Sequence, residues 1–166
     1  MYEFNSHCSY CGTLYPSSLP QSPRLCGLCG KESYVNPKPV SVLIQPIGYG
    51  FLIAQRAIQP KIGGWAFPAG HHEMNETWQE CAARELWEET GIKIDHTKIK
   101  LFDLVTTPSN ANLAFGLAEP LNELPEFVPN AETIAIKVIT EYESLCFQSH
   151  DDVLRRLFCE GVNSTN

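Results

Sequence analysis

The chain has 166 residues, with 12 basic and 19 acidic side chains, a formal charge of −7 and 43% hydrophobic composition, enough for one buried core and a small appendage. An acidic balance gives no general attraction to a phosphate backbone, so nucleic acid is not the expected partner, whereas a small phosphorylated ligand is compatible because a bound cation reverses the local field. No apolar run approaches the roughly 20 residues that cross a bilayer, and the N-terminal MYEFNSHCSY lacks the basic and apolar regions of a secretion signal, so a cytoplasmic protein is expected.

The first predicted element is a pair of matched CxxCG units, Cys8-x2-Cys11-Gly12 and Cys26-x2-Cys29-Gly30. Thiolates two residues apart converge on one ion, and the glycine permits the tight turn that brings amides toward sulfur. Cys8, Cys11, Cys26 and Cys29 are therefore the expected ligands of a structural zinc ribbon, the competing reading being a redox pair. Residues 1 to about 35 hold too few apolar side chains for a core of their own, so zinc would supply the folding energy. Their only basic residues are Arg24 and Lys31, which points to a structural or dimer-forming role rather than nucleic-acid binding. His7 reads as a surface histidine, and Cys81, Cys146 and Cys159 as reduced, buried thiols without partners at metal spacing. The expected boundary places the ribbon at 1–36 and a second domain at 37–166, across the extended Asn36-Pro37-Lys38-Pro39 hinge.

Val40 to Pro46 and Phe51 to Arg56 are β-rich on either side of Gly48-Tyr49-Gly50 and read as a hairpin. Gln59 to Gly70 reads as loop and short strand. A helix follows over Thr77 to Thr90, ended by Gly91 in a left-handed conformation. Ile92 to Ile94, Lys100 to Thr106, Leu113 to Ala118 and Thr133 to Ile139 read as strands, with an acidic, proline-containing loop from Glu119 to Asn130. Asp151-Asp152 favours a last helix start, with Val153, Leu154, Leu157 and Phe158 as its apolar stripe.

Within the central helix, Glu85, Glu88 and Glu89 stand at i, i+3 and i+4, which brings them to one face. Crowded carboxylates repel unless a cation sits among them, and oxygen-only ligands suit Mg²⁺ or Mn²⁺. Trp78, Ala82 and Leu86 form the opposite, apolar face, so the helix docks with its acids toward a cleft. The bland alternative is a solvated acidic face.

The segment GHHEMNETWQECAARELWEETGI, Gly70 to Ile92, resembles the Nudix box, G-x5-E-x7-R-E-U-x-E-E-x-G-U, in every defined place: Gly70, Glu76, Arg84, Glu85, Leu86, Glu88, Glu89, Gly91 and Ile92. The resemblance implies an α/β (α+β) fold, an α/β/α sandwich around a mixed sheet, and hydrolysis of a nucleoside diphosphate linked to another moiety X. It implies that Glu85, Glu88 and Glu89, with the Gly70 carbonyl, ligate Mg²⁺ or Mn²⁺, and that Arg84 orients the acids by bidentate pairing with Glu76 or Glu85. For the general base, Glu85 and Glu132 both stand as candidates, since relatives place it in the box or on a later loop or strand.

The paired knuckles, the NPKPV segment from Asn36, Arg56-Ala57-Ile58-Gln59-Pro60 and Gly64-Trp65-Ala66-Phe67-Pro68-Ala69-Gly70 are together similar to zinc-ribbon ADP-ribose/FAD pyrophosphatases of the same superfamily. That likeness implies Arg56 on substrate phosphates, Trp65 and Phe67 as stacking surfaces (or core), Asn112 on a base or ribose (or in a turn), and a homodimer. Two other readings stand beside it: an NADH or NAD-cap pyrophosphatase, whose SQPWPFPxS segment has no counterpart over Leu101 to Gly116, and a non-catalytic nucleotide sensor.

Overall fold

The computed structural model describes residues 5–16 and 22–159, and the chain divides into two compact units, Met1–Pro37 and Lys38–Asn166. In the first unit the two CxxCG segments fold identically. The amide of Cys8 donates to the Thr13 carbonyl and that of Gly12 to the Cys8 carbonyl, while Cys26 donates to Lys31 and Gly30 to Cys26. Gly12 and Gly30 sit at φ 72° and 69°, the left-handed region that glycine enters without a steric penalty. Strands β1 (Arg24–Leu25) and β2 (Glu32–Ser33) pair antiparallel beside the second knuckle.

The second unit runs β3 (Lys38–Ile44), β4 (Pro46–Ile47), β5 (Gly50–Arg56), β6 (Trp65–Ala66), β7 (Ala69–His71) and α1 (Trp78–Thr90), then a 3₁₀ turn at His96–Lys98. It continues with β8 (Lys100–Thr106), β9 (Ala111–Leu117), β10 (Thr133–Ile139) and α2 (Gln148–Cys159). One four-stranded sheet has the order β7-β3-β9-β8 and is mixed, with β3 and β9 parallel. The other is antiparallel, with β10 along one edge of β5 and β4 and β6 along the other.

Strand alternation divides the core in two. Val42 and Ile44 of β3 and Phe51 and Ile53 of β5 pack with Val153, Leu154 and Leu157 of α2. The intervening Leu43 and Leu52 pack with Ala82 and Leu86 of α1. The helices thus cover opposite faces of the strands, the layered mixed α/β arrangement expected. Trp78, Ala82 and Leu86 form the docked stripe of α1, as their spacing predicts.

Two expectations are corrected. The strand from Val40 does not form a hairpin with that from Phe51: β3 pairs with β7 and β9, and the chain turns back onto β5 just beyond it, where the Gln45 carbonyl accepts from the Leu52 amide and Pro46–Ile47 pair with β5. The chain changes sheets at Gln45, fully buried, whose side-chain amide donates to the carbonyls of Pro46 and Glu119 at 2.8 and 2.9 Å. Ile92 to Ile94 is not a strand; Ile92 and Ile94 alternate because a loop crosses the α1 face of the core.

Candidate active site

Local sequence fixes α1 at both ends. Thr77 is its N-cap, accepting from the Glu80 amide at 3.2 Å, while the Glu80 carboxylate accepts from the Thr77 amide at 2.7 Å, a reciprocal capping box. Gly91, at φ 77°, closes the other end by donating to the Trp87 carbonyl. The helix is thereby held in register against β3 and β7, and the loop after β7 brings Glu76 alongside it.

Arg84 organises the acids. Its Nε and Nη2 donate to Glu76 Oε2 and Oε1 at 3.1 and 2.8 Å, and its Nη1 to Glu85 Oε1 at 2.7 Å and Glu88 Oε2 at 3.0 Å. Nη2 also donates to the His71 carbonyl at 3.0 Å. A guanidinium has five N–H groups in a fixed fork, and each here has an oxygen. Hydrogen bonding to Arg84 outweighs burial and holds the Glu76 carboxyl down at about 2. Gly70 is required by close approach, because a Cβ there would lie 2.0 Å from the Glu85 carboxylate.

The carboxylates that converge are Glu85, Glu89 and Glu132, one oxygen of each lying within 4.8 Å of the others. Glu85 and Glu89 are buried and Glu132, just before β10, is exposed. Burial, then the charge of Glu85, pushes Glu89 up to about 8. Burial also raises Glu85, against the pull of Arg84 and with the charges of Glu88 and Glu132 adding to the rise. These shifts describe acids crowded together beside a cation, Arg84, that is already committed. Hard oxygen donors in such a cluster fit Mg²⁺ or Mn²⁺. Glu88 instead places its carboxylate on Arg84, exposed on the rim.

The four cysteine sulfurs of the first unit also lie within 4.8 Å of one another. The Cys8–Cys29 and Cys11–Cys26 separations are 3.7 and 3.6 Å, close to the edge of about 3.8 Å that Zn–S bonds of about 2.3 Å give a tetrahedron. This donor set fits a closed zinc centre.

The other expected residues are dispersed. Arg56, at the end of β5, donates from Nε to the Pro60 carbonyl at 2.8 Å, and its guanidinium lies 5.2 Å from the centre of the Phe147 ring. It is near enough to Glu89 to act on that carboxyl electrostatically. Trp65 is half-buried under Lys137 Nζ, 4.6 Å from its ring. Phe67 is 2% exposed and stacks on His150, so it packs the core and has no free face for a ligand, which corrects its candidacy as a stacking surface. Asn112, in β9, accepts from Thr106 Oγ1 at 2.8 Å. A hollow of about 550 Å³ opens by the end of α1, lined in part by Trp87, Glu88, Glu126, Val128 and Asn130.

Sequence reasoning named Glu132 as a base and missed its convergence with Glu85 and Glu89. It missed Asn130 altogether, although Asn130-Ala131-Glu132-Thr133 carries an Asx-turn signal. Among the described residues no helix is long and apolar enough to cross a membrane.

The family model described as NUDIX domain matches residues 36–155. The NAD-capped RNA hydrolase NudC of Chromobacterium violaceum is 32% identical over 114 residues, covering 68% of this chain and 43% of that protein. The phosphatase NudJ of Escherichia coli is 57% identical over 42 residues, 25% of this chain and 27% of that one. The chain therefore spans less than half the length of these curated relatives. Among solved structures, a NUDIX hydrolase from Nitrosomonas europaea superposes with a TM-score of 0.76 at 29% identity, covering 92% of this chain and 89% of that one.

Proposed function

The chain belongs to the NUDIX family, and on that premise we propose that it hydrolyses, with a divalent metal, the pyrophosphate bond of a nucleoside diphosphate linked to X, with ADP-ribose or an FAD-like dinucleotide as substrate. The observation that carries this reading is the convergence of Glu85, Glu89 and Glu132 beside an arginine whose donors are all engaged.

Glu85, Glu89 and Glu132 would hold Mg²⁺ or Mn²⁺, with the Gly70 carbonyl and Glu88 as further oxygen donors. When bound, such an ion shields the diphosphate charge, acidifies water and stabilises the leaving phosphate. Arg84 keeps Glu85 and Glu88 from splaying and ties the helix to the Glu76 loop. Arg56, stacked on Phe147, meets a phosphate oxygen of the substrate. Water attacks phosphorus, the bridging P–O bond breaks, and the proton goes to the Glu132 oxygen left over from holding the ion: Glu132 is the solvent-facing member of the cluster, whereas Glu85 is buried and already accepts from Arg84. The hollow beside α1 is within the usual range for small-molecule sites and adjoins Glu88. In the first unit, Zn²⁺ held by Cys8, Cys11, Cys26 and Cys29 serves folding.

Cleavage of NADH or an NAD cap is the second reading, favoured by the likeness to the NudC relative. A panel of ADP-ribose, FAD, NADH and NAD-capped RNA with Mg²⁺ and Mn²⁺, products resolved by chromatography, tests the proposal. ADP-ribose or FAD should turn over fastest. Strong preference for NADH or capped RNA supports the second reading, and binding of ADP-ribose without cleavage would establish a sensor.

A further inference from the structure

Glu132 lies 43 residues beyond Glu89 in the sequence, on the turn that enters β10, so something must hold that turn against the helix. One side chain does so with both of its polar ends. The amide nitrogen of Asn130 donates to the carbonyls of Glu88 and Glu89 at 2.9 and 3.2 Å, while its amide oxygen accepts from the backbone of Glu132 and of Thr133, each at 2.9 Å. The Asn130 backbone amide closes the turn by donating to the Thr133 carbonyl.

The two carbonyls it reaches belong to the last turn of α1, where no further helical amide is available to meet them. The neighbouring orphan, the Trp87 carbonyl, is taken by Gly91. Aspartate would keep the acceptor half of this bridge but set a carboxylate against two carbonyls. Serine or alanine would not span the gap. Asn130 is exposed, so replacing it removes hydrogen bonds without opening a cavity in the core.

We propose that Asn130 is a positioning residue that locks the Glu132 turn onto the C-terminal end of α1 and so sets the Glu132 carboxylate against those of Glu85 and Glu89. The inference rests on reading that cluster as the cradle for the divalent ion. Its effect falls on metal binding: without the bridge, Glu132 must be ordered by the ion itself, and affinity drops by the amount usual for a residue that orients a ligand, about 10-fold or more.

The test is Mn²⁺ titration of the full-length, zinc-loaded protein, followed by electron paramagnetic resonance, for wild type, N130A, N130D, E132Q and N130A/E132Q. N130A and N130D should each weaken Mn²⁺ binding about 10-fold, read in the absence of substrate. N130A/E132Q should bind no more weakly than E132Q, since nothing is left to position. Thermal unfolding separates this from a merely structural part: the rise in midpoint on adding Mn²⁺ should shrink in both single Asn130 variants, whatever their midpoint without metal. Wild-type Mn²⁺ affinity in N130A and N130D, with E132Q weakened, overturns the proposal and leaves the cradle standing. Wild-type affinity in E132Q overturns the cradle itself, and the inference with it.

Discussion

The two units of the chain gather metal-ligating side chains in opposite ways. In the first, four sulfurs draw together among a few turns, with Cys8, Tyr15 and Cys26 as the buried centre. Tetrahedral coordination would be complete with these ligands, leaving nothing open to a substrate. In the second, two extensive apolar clusters hold strands and helices in place, and three carboxylates meet at the edge of that frame with Glu132 facing solvent. The first site would use its metal as a substitute for a core. The second has a core already and is free to use an ion as a reagent.

The comparison breaks most severely if the ribbon proves independent of zinc. Zinc binding to such a unit is folding free energy, on the order of 10 kcal/mol, so C26S should lose the bound zinc and the amide-exchange protection of residues 22–37. The protected amides of β3, β5 and β9 should persist. Protection of the knuckle amides that survives both C26S and chelation would contradict the account.

At the second site the prediction concerns affinity rather than folding. R84K keeps the charge but replaces a five-donor fork with a flexible ammonium, which cannot serve Glu76, Glu85, Glu88 and the His71 carbonyl together. Activity or Mn²⁺ affinity should fall about 10- to 100-fold, with far-ultraviolet circular dichroism unchanged. A wild-type titration would mean that the Arg84 network is ornamental.

The core that frees the second unit from metal has its own pH signature. His150 is buried among Phe67, Phe115 and Phe147, and its Nδ1 has no hydrogen-bond partner. Burial, helped by the charge of Arg56, holds its pKa down at about 3. The unfolded chain therefore takes up this proton first, near pH 6.5, and stability declines as pH falls from there toward 3. Between pH 7.5 and 5 the contribution of this one group should be about 2 kcal/mol. H150F should lack that share of the decline in denaturant titrations at the two pH values; an identical decline would mean that the imidazole is not neutral in the fold. The smallest effect expected is from T77A, which removes the N-cap of α1 and should cost about 1 kcal/mol in the same measurement without altering the ribbon.

What could be read from the sequence was what neighbouring residues decide. Helix α1, its cap at Gly91, its docked stripe and the gathering of thiols at CxxCG spacing all follow from residues a few places apart. What could not be read depends on distant strands. The sheet change at Gln45 decides whether β3 meets β5 or β9, and no local pattern distinguishes the two. Helical spacing placed Glu88 with Glu85 and Glu89, but Arg84 takes Glu88 to the rim, and the third member of the cluster arrives from the far side of the loop that follows β9. For Phe67, an aromatic in a β-rich stretch, core is the preferred reading over a stacking surface, and His150 lying against it decides for core.

The most direct test is a crystal of the protein soaked in Mn²⁺ and measured at the manganese edge. An anomalous peak bonded to oxygens of Glu85, Glu89 and Glu132, with Arg84 still bridging Glu76 and Glu85, is the predicted result. Manganese bound elsewhere, or those three carboxylates turned to bulk solvent with no ion between them, would contradict the account.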